Sequence, residues 1–235
     1  MNHNFSALRA RKILVTGGGG FIGKALVLAL HKLGAEVQVF GRNRYPDLEA
    51  LGIACIQGDI RNQAAVRQAI TGTSCVFHVA AKAGIWGPLA EYMAINYEGS
   101  EHVLAACKSE QVGTLVYTST PSVVFDRHDL AGADETLPYA SRPLCAYAAS
   151  KILAERAVLA ANGTGLKTVA IRPHLVWGPG DTNLIPRLIE RGQAGQLAMV
   201  GRGNNMVDIT YVTVVIILLM ISLIQGIGNY IIKKT

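Results

Sequence analysis

The sequence predicts an α/β protein built on a doubly wound parallel sheet with helices on both faces. Short apolar runs rich in Val and Ile alternate along the chain with longer segments whose apolar residues recur at helical spacing. The runs are apolar throughout, which is typical of parallel strands that are covered on both faces. Ligands of such sheets bind beyond the carboxyl ends of the strands, so we expect functional residues just after each strand.

The alternation predicts the strands and the crossover helices in order. Strands are expected at residues 13–16, 37–40, 54–57, 75–79, 115–119 and 169–172. Helices are expected at residues 20–33, 63–70, 89–108 and 145–161. Each helical segment is long enough to connect two parallel neighbours.

The composition excludes several classes of protein. The 235 residues are 50% apolar and 16% charged, which excludes a disordered, collagen-like or coiled-coil chain. The net charge is +6, but no basic run occurs and aromatic residues make up only 6%, so no nucleic-acid partner is expected. The cysteines form no CxxC pair and have no His at ligand spacing, so we expect no metal site and a cytoplasmic location.

The C-terminal segment differs from the rest because residues 209–232 contain no charged side chain. Its most apolar part, residues 212–224, would span only about 20 Å as a helix, short of the roughly 30 Å hydrocarbon core of a bilayer. Two interpretations stay open, a membrane-inserting tail and a buried segment rich in β-branched residues. We therefore divide the chain into residues 1–208, expected to carry the functional residues, and an apolar tail at 209–235 through which membrane association stays open.

A glycine-rich turn joins the first predicted strand to the first helix. Gly17, Gly20 and Gly23 have the spacing GxxGxxG, and these glycines together with Phe21 and Ile22 are expected to contact a cofactor. The first two glycines would allow a tight turn and close approach to a pyrophosphate, and the third would let the helix lie against the strand. The N–H groups of the helix N-terminus would bind the phosphates. This placement predicts a Rossmann-like dinucleotide site, against the alternative of a tight turn alone.

The end of the second predicted strand indicates which dinucleotide binds. An NAD site would place an acidic side chain there, but the chain reads Gly41-Arg42-Asn43, and a guanidinium suits a ribose 2′-phosphate. NADP(H) is therefore favoured, while NAD(H) stays open because most surface arginines are simply solvated. Further cofactor contacts are expected after the third and fourth strands, at Asp59, Ile60, Ala80, Ala81 and Lys82.

The strongest sign of catalysis is the pair Tyr147 and Lys151. A spacing of four puts the phenol and the ammonium on one face of a helix, where we expect the positive charge to lower the Tyr147 pKa. A free Tyr, with a pKa of roughly 10, is a poor acid–base catalyst at neutral pH. The fifth predicted strand ends on hydroxyls that would hold a substrate oxygen beside Tyr147, with Thr120 preferred and Ser119 or Ser122 as alternatives.

Together these motifs resemble the extended short-chain dehydrogenase/reductases, and within them the 3β-hydroxysteroid dehydrogenase-like group. The resemblance covers about residues 12–212 and is carried by TGGGGFIG, GDIRN, the helix segment with Asn96, YTSTPSVVF, YAASKILAERAVLAANG and RPHLVWGPGD. Within the group, AAKAGIWG, TSTPSVVFD and RPHLVWGPGD are most similar to the bacterial 2-alkyl-3-oxoalkanoate reductases. Members of the family are usually longer, so the resemblance implies an incomplete C-terminal substrate lobe, truncated or replaced here.

The resemblance implies proton and hydride transfer between a nicotinamide cofactor and a small hydrophobic 3-hydroxy or 3-keto substrate, such as a 2-alkyl-3-oxoalkanoate or a sterol. By this likeness Tyr147 protonates the developing alkoxide, Lys151 holds the nicotinamide ribose and Thr120 donates to the carbonyl. Pro173 would lie beside the nicotinamide. Substrate contacts are expected at Ser119, Ser122, His174 and Trp177.

Two other functions stay open. A nucleotide-sugar epimerase or dehydratase would keep NAD tightly bound and consume none of it, and the missing acid after the second strand counts against this reading. A non-catalytic dinucleotide-binding or membrane-tethered module would bind the cofactor without turnover. The family likeness also leads us to expect a homodimer.

Overall fold

A parallel sheet forms the centre of the protein. The computed structural model describes residues 11–199, 201–202, 204, 206–225 and 231–232. Its strands are β1 (Lys12–Thr16), β2 (Glu36–Gly41), β3 (Ala54–Gln57), β4 (Cys75–His78), β5 (Thr114–Thr118), β6 (Lys167–Ile171), β7 (Val176–Trp177), β8 (Thr210–Tyr211) and β9 (Ile231–Ile232). β7 and β8 pair with each other, and the other strands form one parallel sheet in the order β3-β2-β1-β4-β5-β6-β9. The predicted doubly wound parallel sheet is confirmed.

Helices cover both faces of this sheet. They are α1 (Phe21–Lys32), α2 (Pro46–Glu49), α3 (Gln63–Ile70), α4 (Leu89–Tyr92), α5 (Gly99–Ser109), α6 (Ala146–Ala160), α7 (Leu184–Gln193) and α8 (Val212–Gln225). A π-helical turn, Met93–Glu98, joins α4 to α5, and a 3₁₀ turn, Pro121–Val123, follows β5. α1 and α8 pack on one face of the sheet, and α3, α5 and α6 pack on the other.

The register brings the carboxyl ends of the central strands to one edge of the sheet. Thr16 at the end of β1 pairs with Phe40 on β2 and with His78 on β4. His78 pairs in turn with Tyr117 on β5. The strand order changes direction between β1 and β4, which is the switch point where sheets of this kind bind ligands. The residues that follow β1, β2, β4 and β5 therefore surround one crevice.

The strands are buried on both faces, as their continuous apolar runs predict. Side chains alternate along a strand, so neighbouring residues enter different halves of the core. On one side, Val15 of β1 packs in a cluster with Leu26 of α1. On the other side, Leu14 packs in a cluster with Val76 of β4 and Val103 of α5.

α8 places the apolar C-terminal segment against the sheet. Val215, Leu219 and Leu223 lie four residues apart, are at most 3% exposed, and share one hydrophobic cluster with Leu26 of α1. The buried interpretation therefore applies to this helix. In the part of the chain that the structure describes, no helix combines the length and apolar character needed to cross a membrane. The rest of the predicted tail, residues 226–230 and 233–235, lies outside the described residues.

The sequence prediction differs from the structure in several segments. Residues 89–108 are predicted as one helix, but the π-helical turn divides them. α2, β7, β8 and β9 are only two to four residues long, too short for periodicity to indicate them. No helix is predicted at α7. The segment follows the turn-forming run GPGDTN and contains Pro186, and this composition favours a loop.

Candidate active site

One large cavity opens at the carboxyl ends of the six strands β1 to β6. Its volume is about 710 Å³, within the usual range for cofactor and small-molecule sites. The cavity brings together all the residues predicted to bind cofactor or to catalyse, which are Gly17, Gly20, Phe21, Ile22, Gly23, Arg42, Asp59, Ile60, Ala80, Ala81, Lys82, Thr120, Tyr147, Lys151 and Pro173. The segments after six strands thus contribute to a single site.

The glycine loop forms the floor of the cavity beside β1. Gly17 has a φ of +70°, and a Cβ atom there would lie 2.8 Å from the backbone of Ala80, so a side chain would be both strained and crowded. The Gly17 N–H donates to the Phe40 carbonyl at 2.8 Å, and the Gly20 N–H donates to the Gly17 carbonyl at 3.0 Å. α1 begins at Phe21 with no acidic residue in its first turn. This backbone cradle and the positive end of the helix dipole suit a diphosphate.

The end of β2 supplies one cationic side chain to the cavity. Arg42 lines the cavity and makes no side-chain hydrogen bond or ion pair with any described residue. Arg44, by contrast, is paired with Glu49 at 3.1 Å. Arg42 is therefore the arginine of this turn whose charge is available to an anionic ligand.

The end of β3 carries a carboxylate that is already paired. Asp59 accepts hydrogen bonds from the Arg61 guanidinium at 3.0 and 2.7 Å. This pairing, helped by the nearby charge of Arg42, lowers the pKa of Asp59 to about 2 against the opposing effect of burial. Asp59 is therefore ionised at neutral pH, and the acid together with Arg61 and Arg42 gives the part of the cavity beside β2 and β3 a net positive charge.

Tyr45 is a cavity residue that the sequence analysis does not identify. A Cβ atom on Gly19 would overlap the Tyr45 ring, and one on Gly41 would overlap its hydroxyl. The ring therefore lies against the glycine loop and the end of β2 at the same time. The available signal is its position directly after the arginine-containing turn and before Pro46, the first residue of α2.

A buried histidine, His78, links the ends of β1 and β4 next to the glycine loop. His78 Nδ1 lies 2.8 Å from Thr16 Oγ1, and its Nε2 lies 2.9 Å from Ser100 Oγ. Burial, and then the charge of Lys151, lower the pKa of His78 to about 3, so the imidazole is neutral. Thr16 Oγ1 in turn accepts a hydrogen bond from the Ala80 N–H at 3.3 Å. His78 is a packed strand residue that does not line the cavity.

Asn96, in the π-helical turn, fixes the loop that follows β4. Its amide accepts from the Lys82 N–H at 2.8 Å and donates to the Lys82 carbonyl at 3.0 Å. It also donates to Ser150 Oγ at 3.0 Å, and Ser150 donates to the Tyr147 carbonyl at 2.8 Å. Asn96 is buried, so these bonds join the β4 loop to the first turn of α6, which carries Tyr147, in the interior of the protein.

Tyr147, Lys151 and Thr120 face one part of the cavity. Burial raises the pKa of Tyr147 to about 12, and its interaction with the Thr120 hydroxyl only partly opposes that change. The predicted lowering of the Tyr147 pKa by Lys151 is therefore wrong for this structure. The Lys151 ammonium is directed elsewhere, because its Nζ donates to the Thr118 carbonyl at 2.7 Å.

Lys151 is itself strongly affected by its surroundings. It is 1% exposed, and its Nζ lies 4.1 Å from the centre of the Tyr117 ring. Burial lowers the pKa of Lys151 to about 7, although the charge of Glu155 acts in the opposite direction. The ammonium therefore titrates in the neutral range, where a small change in its surroundings alters its charge.

Of the four residues predicted to contact substrate, Ser119 alone lines the cavity. Ser119 lines the cavity, but its hydroxyl donates to the Glu155 carboxylate. Ser122 accepts a hydrogen bond from Thr120 at 3.2 Å and does not line the cavity. His174 and Trp177 are also outside it, and Trp177 packs edge-on against Tyr211. The residues of this segment that do line the cavity are Pro173, Leu175 and Val176.

The comparison with known protein families agrees with this arrangement. Residues 14–226 match the 3-beta hydroxysteroid dehydrogenase/isomerase family. The chain belongs to this family. Two bacterial relatives of this family member share one name, 2-alkyl-3-oxoalkanoate reductase. The relative from Shewanella oneidensis is 48% identical over 213 residues, which are 88% of this chain and 55% of the relative.

The second relative, from Stenotrophomonas maltophilia, is 50% identical over 204 residues, which are 86% of this chain and 62% of the relative. The family member described here thus spans somewhat more than half the length of these two proteins. Among solved structures, the UDP-glucose 4-epimerase of Thermus thermophilus in complex with NAD matches with a TM-score of 0.79 and 29% sequence identity. The match covers 95% of this chain and 78% of the epimerase, and it supports the same sheet architecture.

Proposed function

We propose that this chain is the cofactor-binding and catalytic part of an NADP(H)-dependent oxidoreductase acting on a hydrophobic 3-keto or 3-hydroxy compound. The observation that carries the proposal is that the glycine loop, Arg42 and the group Thr120, Tyr147 and Lys151 line one cavity. A dinucleotide laid from Arg42 across the glycine loop would place its nicotinamide end near Tyr147.

The residues present fit a dinucleotide phosphate. A Cβ atom on Gly17 would crowd the backbone of Ala80, which follows β4. A glycine at this position therefore keeps the loop open to a diphosphate. Arg42 would bind the 2′-phosphate through charge-assisted hydrogen bonds. Lys151 would bind the nicotinamide ribose, and Pro173 would form the wall beside the ring. When bound, the nicotinamide cofactor supplies or accepts hydride.

The chain itself handles the proton. With a pKa of about 12, Tyr147 keeps its phenolic proton at neutral pH and is able to donate it to a substrate oxygen as negative charge develops there. The Thr120 hydroxyl, next to the phenol, would hold the same oxygen and stabilise that charge. In the reverse direction Tyr147 would accept the proton of the alcohol.

The remaining cavity surface favours an apolar substrate. Beyond the catalytic group the lining includes Ala83, Ile95, Leu175 and Val176, and the acid there, Glu91, is paired with Lys82 at 3.0 Å. Both bacterial relatives are named for a 2-alkyl-3-oxoalkanoate, a β-keto acid with two hydrocarbon chains. We propose this substrate class, with a sterol, a 3-hydroxy compound, as the alternative and a homodimer as the assembly.

The proposal is tested by titrating the purified chain with NADPH and NADH, and then adding 2-alkyl-3-oxoalkanoic acids while following the absorbance of NADPH. We expect tighter binding of NADPH, and ketone-dependent oxidation that Tyr147→Phe abolishes while Tyr97→Phe, a change elsewhere on the chain, does not. Binding with no oxidation by any ketone would favour a non-catalytic module. Retention of NAD with conversion of a nucleotide sugar would favour an epimerase, the activity named for the Thermus thermophilus structure.

A further inference from the structure

A fully buried carboxylate lies one helical turn beyond the catalytic lysine. Tyr147, Lys151 and Glu155 follow one another at intervals of four along α6, so they share one face of the helix. Glu155 is 0% exposed and does not line the cavity. An ionised side chain at such depth is costly unless other groups compensate it, so its partners define its role.

Glu155 has partners from three different segments. The Ser119 hydroxyl, after β5, donates to one carboxylate oxygen. The Arg172 Nε, after β6, lies 3.1 and 3.2 Å from the two oxygens. The Tyr139 hydroxyl, in the loop before α6, donates to the carboxylate at 3.0 Å. The carboxylate therefore joins α6 to the ends of two neighbouring strands.

The ion pair is not explained by packing alone. Arg172 is 3% exposed, and its Nη1 has no hydrogen-bond partner among the described residues. Apolar residues of similar size generally fill such a space at no greater cost than a buried ion pair. The charge of Glu155 therefore requires a reason in the neighbouring site.

The strand ends that Glu155 holds are the ones that surround the catalytic group. Ser119 lies between Thr118, whose carbonyl accepts from Lys151 Nζ at 2.7 Å, and Thr120, beside Tyr147. Arg172 immediately precedes Pro173, which lines the cavity. A shift of the Glu155 carboxylate would therefore move the segments that follow β5 and β6, which carry Thr120 and Pro173.

The charge of Glu155 also acts on Lys151 directly. The acceptor of the ammonium is a neutral carbonyl, and the groups that interact with the ammonium include His78 from β4, Tyr117 from β5 and Glu155 on α6. His78 is neutral because its pKa is lowered to about 3. Among these groups Glu155 is the anion, and its field opposes the effect of burial on the Lys151 pKa.

We propose that Glu155 is a positioning residue: it holds the ends of β5 and β6 against α6 and compensates the charge of the buried Lys151 ammonium. This inference rests on the proposed function, because it assigns to Lys151 the binding of the cofactor ribose. It predicts that without the Glu155 charge the Lys151 ammonium loses its proton at a lower pH. Cofactor binding should then weaken above that lower pH.

The test compares the full chain with Glu155→Gln, Glu155→Asp and Glu101→Gln, the last being an exposed acid on α5 whose loss changes net charge equally. The dissociation constant of NADPH is measured by fluorescence from pH 5.5 to 9. We expect the wild-type affinity to fall as the pH rises through about 7. The midpoint should be lower in E155Q, close to the wild-type value in E155D, and unchanged in E101Q. The titration of the ligand itself is common to all arms and cancels in the comparison.

A second measurement separates this inference from the proposed function. In the cofactor-free chain labelled with ¹³Cε-lysine, the Lys151 signal, assigned by its absence from Lys151→Met, should titrate at lower pH in E155Q than in wild type. If E155Q does not fold, the double variant E155Q/R172M removes both charges of the ion pair. Because Glu155 is the charge that acts on the Lys151 pKa, the midpoint should still fall, but by less, since the loss of the Arg172 charge acts in the opposite direction. Failure of the wild-type chain to bind NADPH would overturn the proposed function alone. An unchanged Lys151 midpoint in the folded variant would overturn the role of Glu155, whatever the cofactor result.

Discussion

A Cβ atom on Gly23 would overlap the carbonyl oxygen of Gly17. The first turn of α1 therefore lies directly against the glycine loop, backbone to backbone. Because no side chain separates the two, the position of the helix N-terminus and the shape of the loop depend on each other. The third glycine of the motif thus shapes the proposed phosphate site through packing, while the first does so through its positive φ.

The change Gly23→Ala is expected to force the helix away from the loop. We expect a loss of about 1 to 3 kcal/mol in the free energy of unfolding, as for other overpacked sites, and at least a roughly tenfold weaker binding of NADPH. Urea denaturation and fluorescence titration measure the two effects. Gly163→Ala is the matched control, because a Cβ atom there meets nothing within 4 Å. Equal behaviour of the two variants would contradict the packing argument.

The glycine loop and the strands are the parts that sequence reasoning predicts well. Short apolar runs rich in Val and Ile that alternate with longer helical segments favour buried strands, and the GxxGxxG turn marks the junction between the first strand and the first helix. The same reasoning leaves residues 212–225 undecided, since a helix that is apolar all round is either buried or in a membrane. Its burial depends on α1 and the sheet, which are distant in sequence.

The choice among the hydroxyls after β5 also needs the structure. Ser119 and Thr120 are adjacent in sequence, but one turns to Glu155 and the other to Tyr147. Neighbouring residues of extended chain face opposite sides, and composition does not say which side is the cavity. The same limit applies to the Tyr147 pKa, because helical spacing places Lys151 nearby but does not indicate that its Nζ is bonded to Thr118.

Cofactor choice is predicted to depend on Arg42. Replacing it by alanine removes charge-assisted hydrogen bonds of about 1.5 to 3 kcal/mol, so NADPH affinity should fall roughly 10- to 100-fold while NADH affinity changes by less than about twofold. Calorimetric titration with both cofactors measures the difference. Arg44→Ala serves as control, since Arg44 is already paired with Glu49. An equal loss for both cofactors in R42A would contradict a 2′-phosphate contact.

The buried Lys151 is predicted to make stability depend on pH. Its pKa is lowered from 10.5 to about 7 by burial, so between these values the unfolded chain holds a proton that the folded chain has released. The free energy of unfolding should therefore rise with pH through this window, by up to about 1.4 kcal/mol per pH unit, and the destabilisation is greatest below pH 7.

This dependence is measured by urea denaturation of wild type and Lys151→Met from pH 6 to 10. The difference between the two curves isolates Lys151 from cysteines and tyrosines that titrate in the same range. Lys108→Met, at an exposed position on α5, should leave the wild-type slope in place. Parallel curves for wild type and K151M would show that the folded state does not release this proton.

The last prediction concerns the packing of α8. Leu219 is 0% exposed and belongs to the same cluster as Leu26 and Val27 of α1, so Leu219→Ala should reduce the free energy of unfolding by about 2 to 5 kcal/mol. Ile217, on the same helix, is 40% exposed, and Ile217→Ala should cost less than about 1 kcal/mol. The comparison is made by urea denaturation in the absence of lipid. Equal and small effects of the two changes would contradict the packing of α8 against α1 and the sheet.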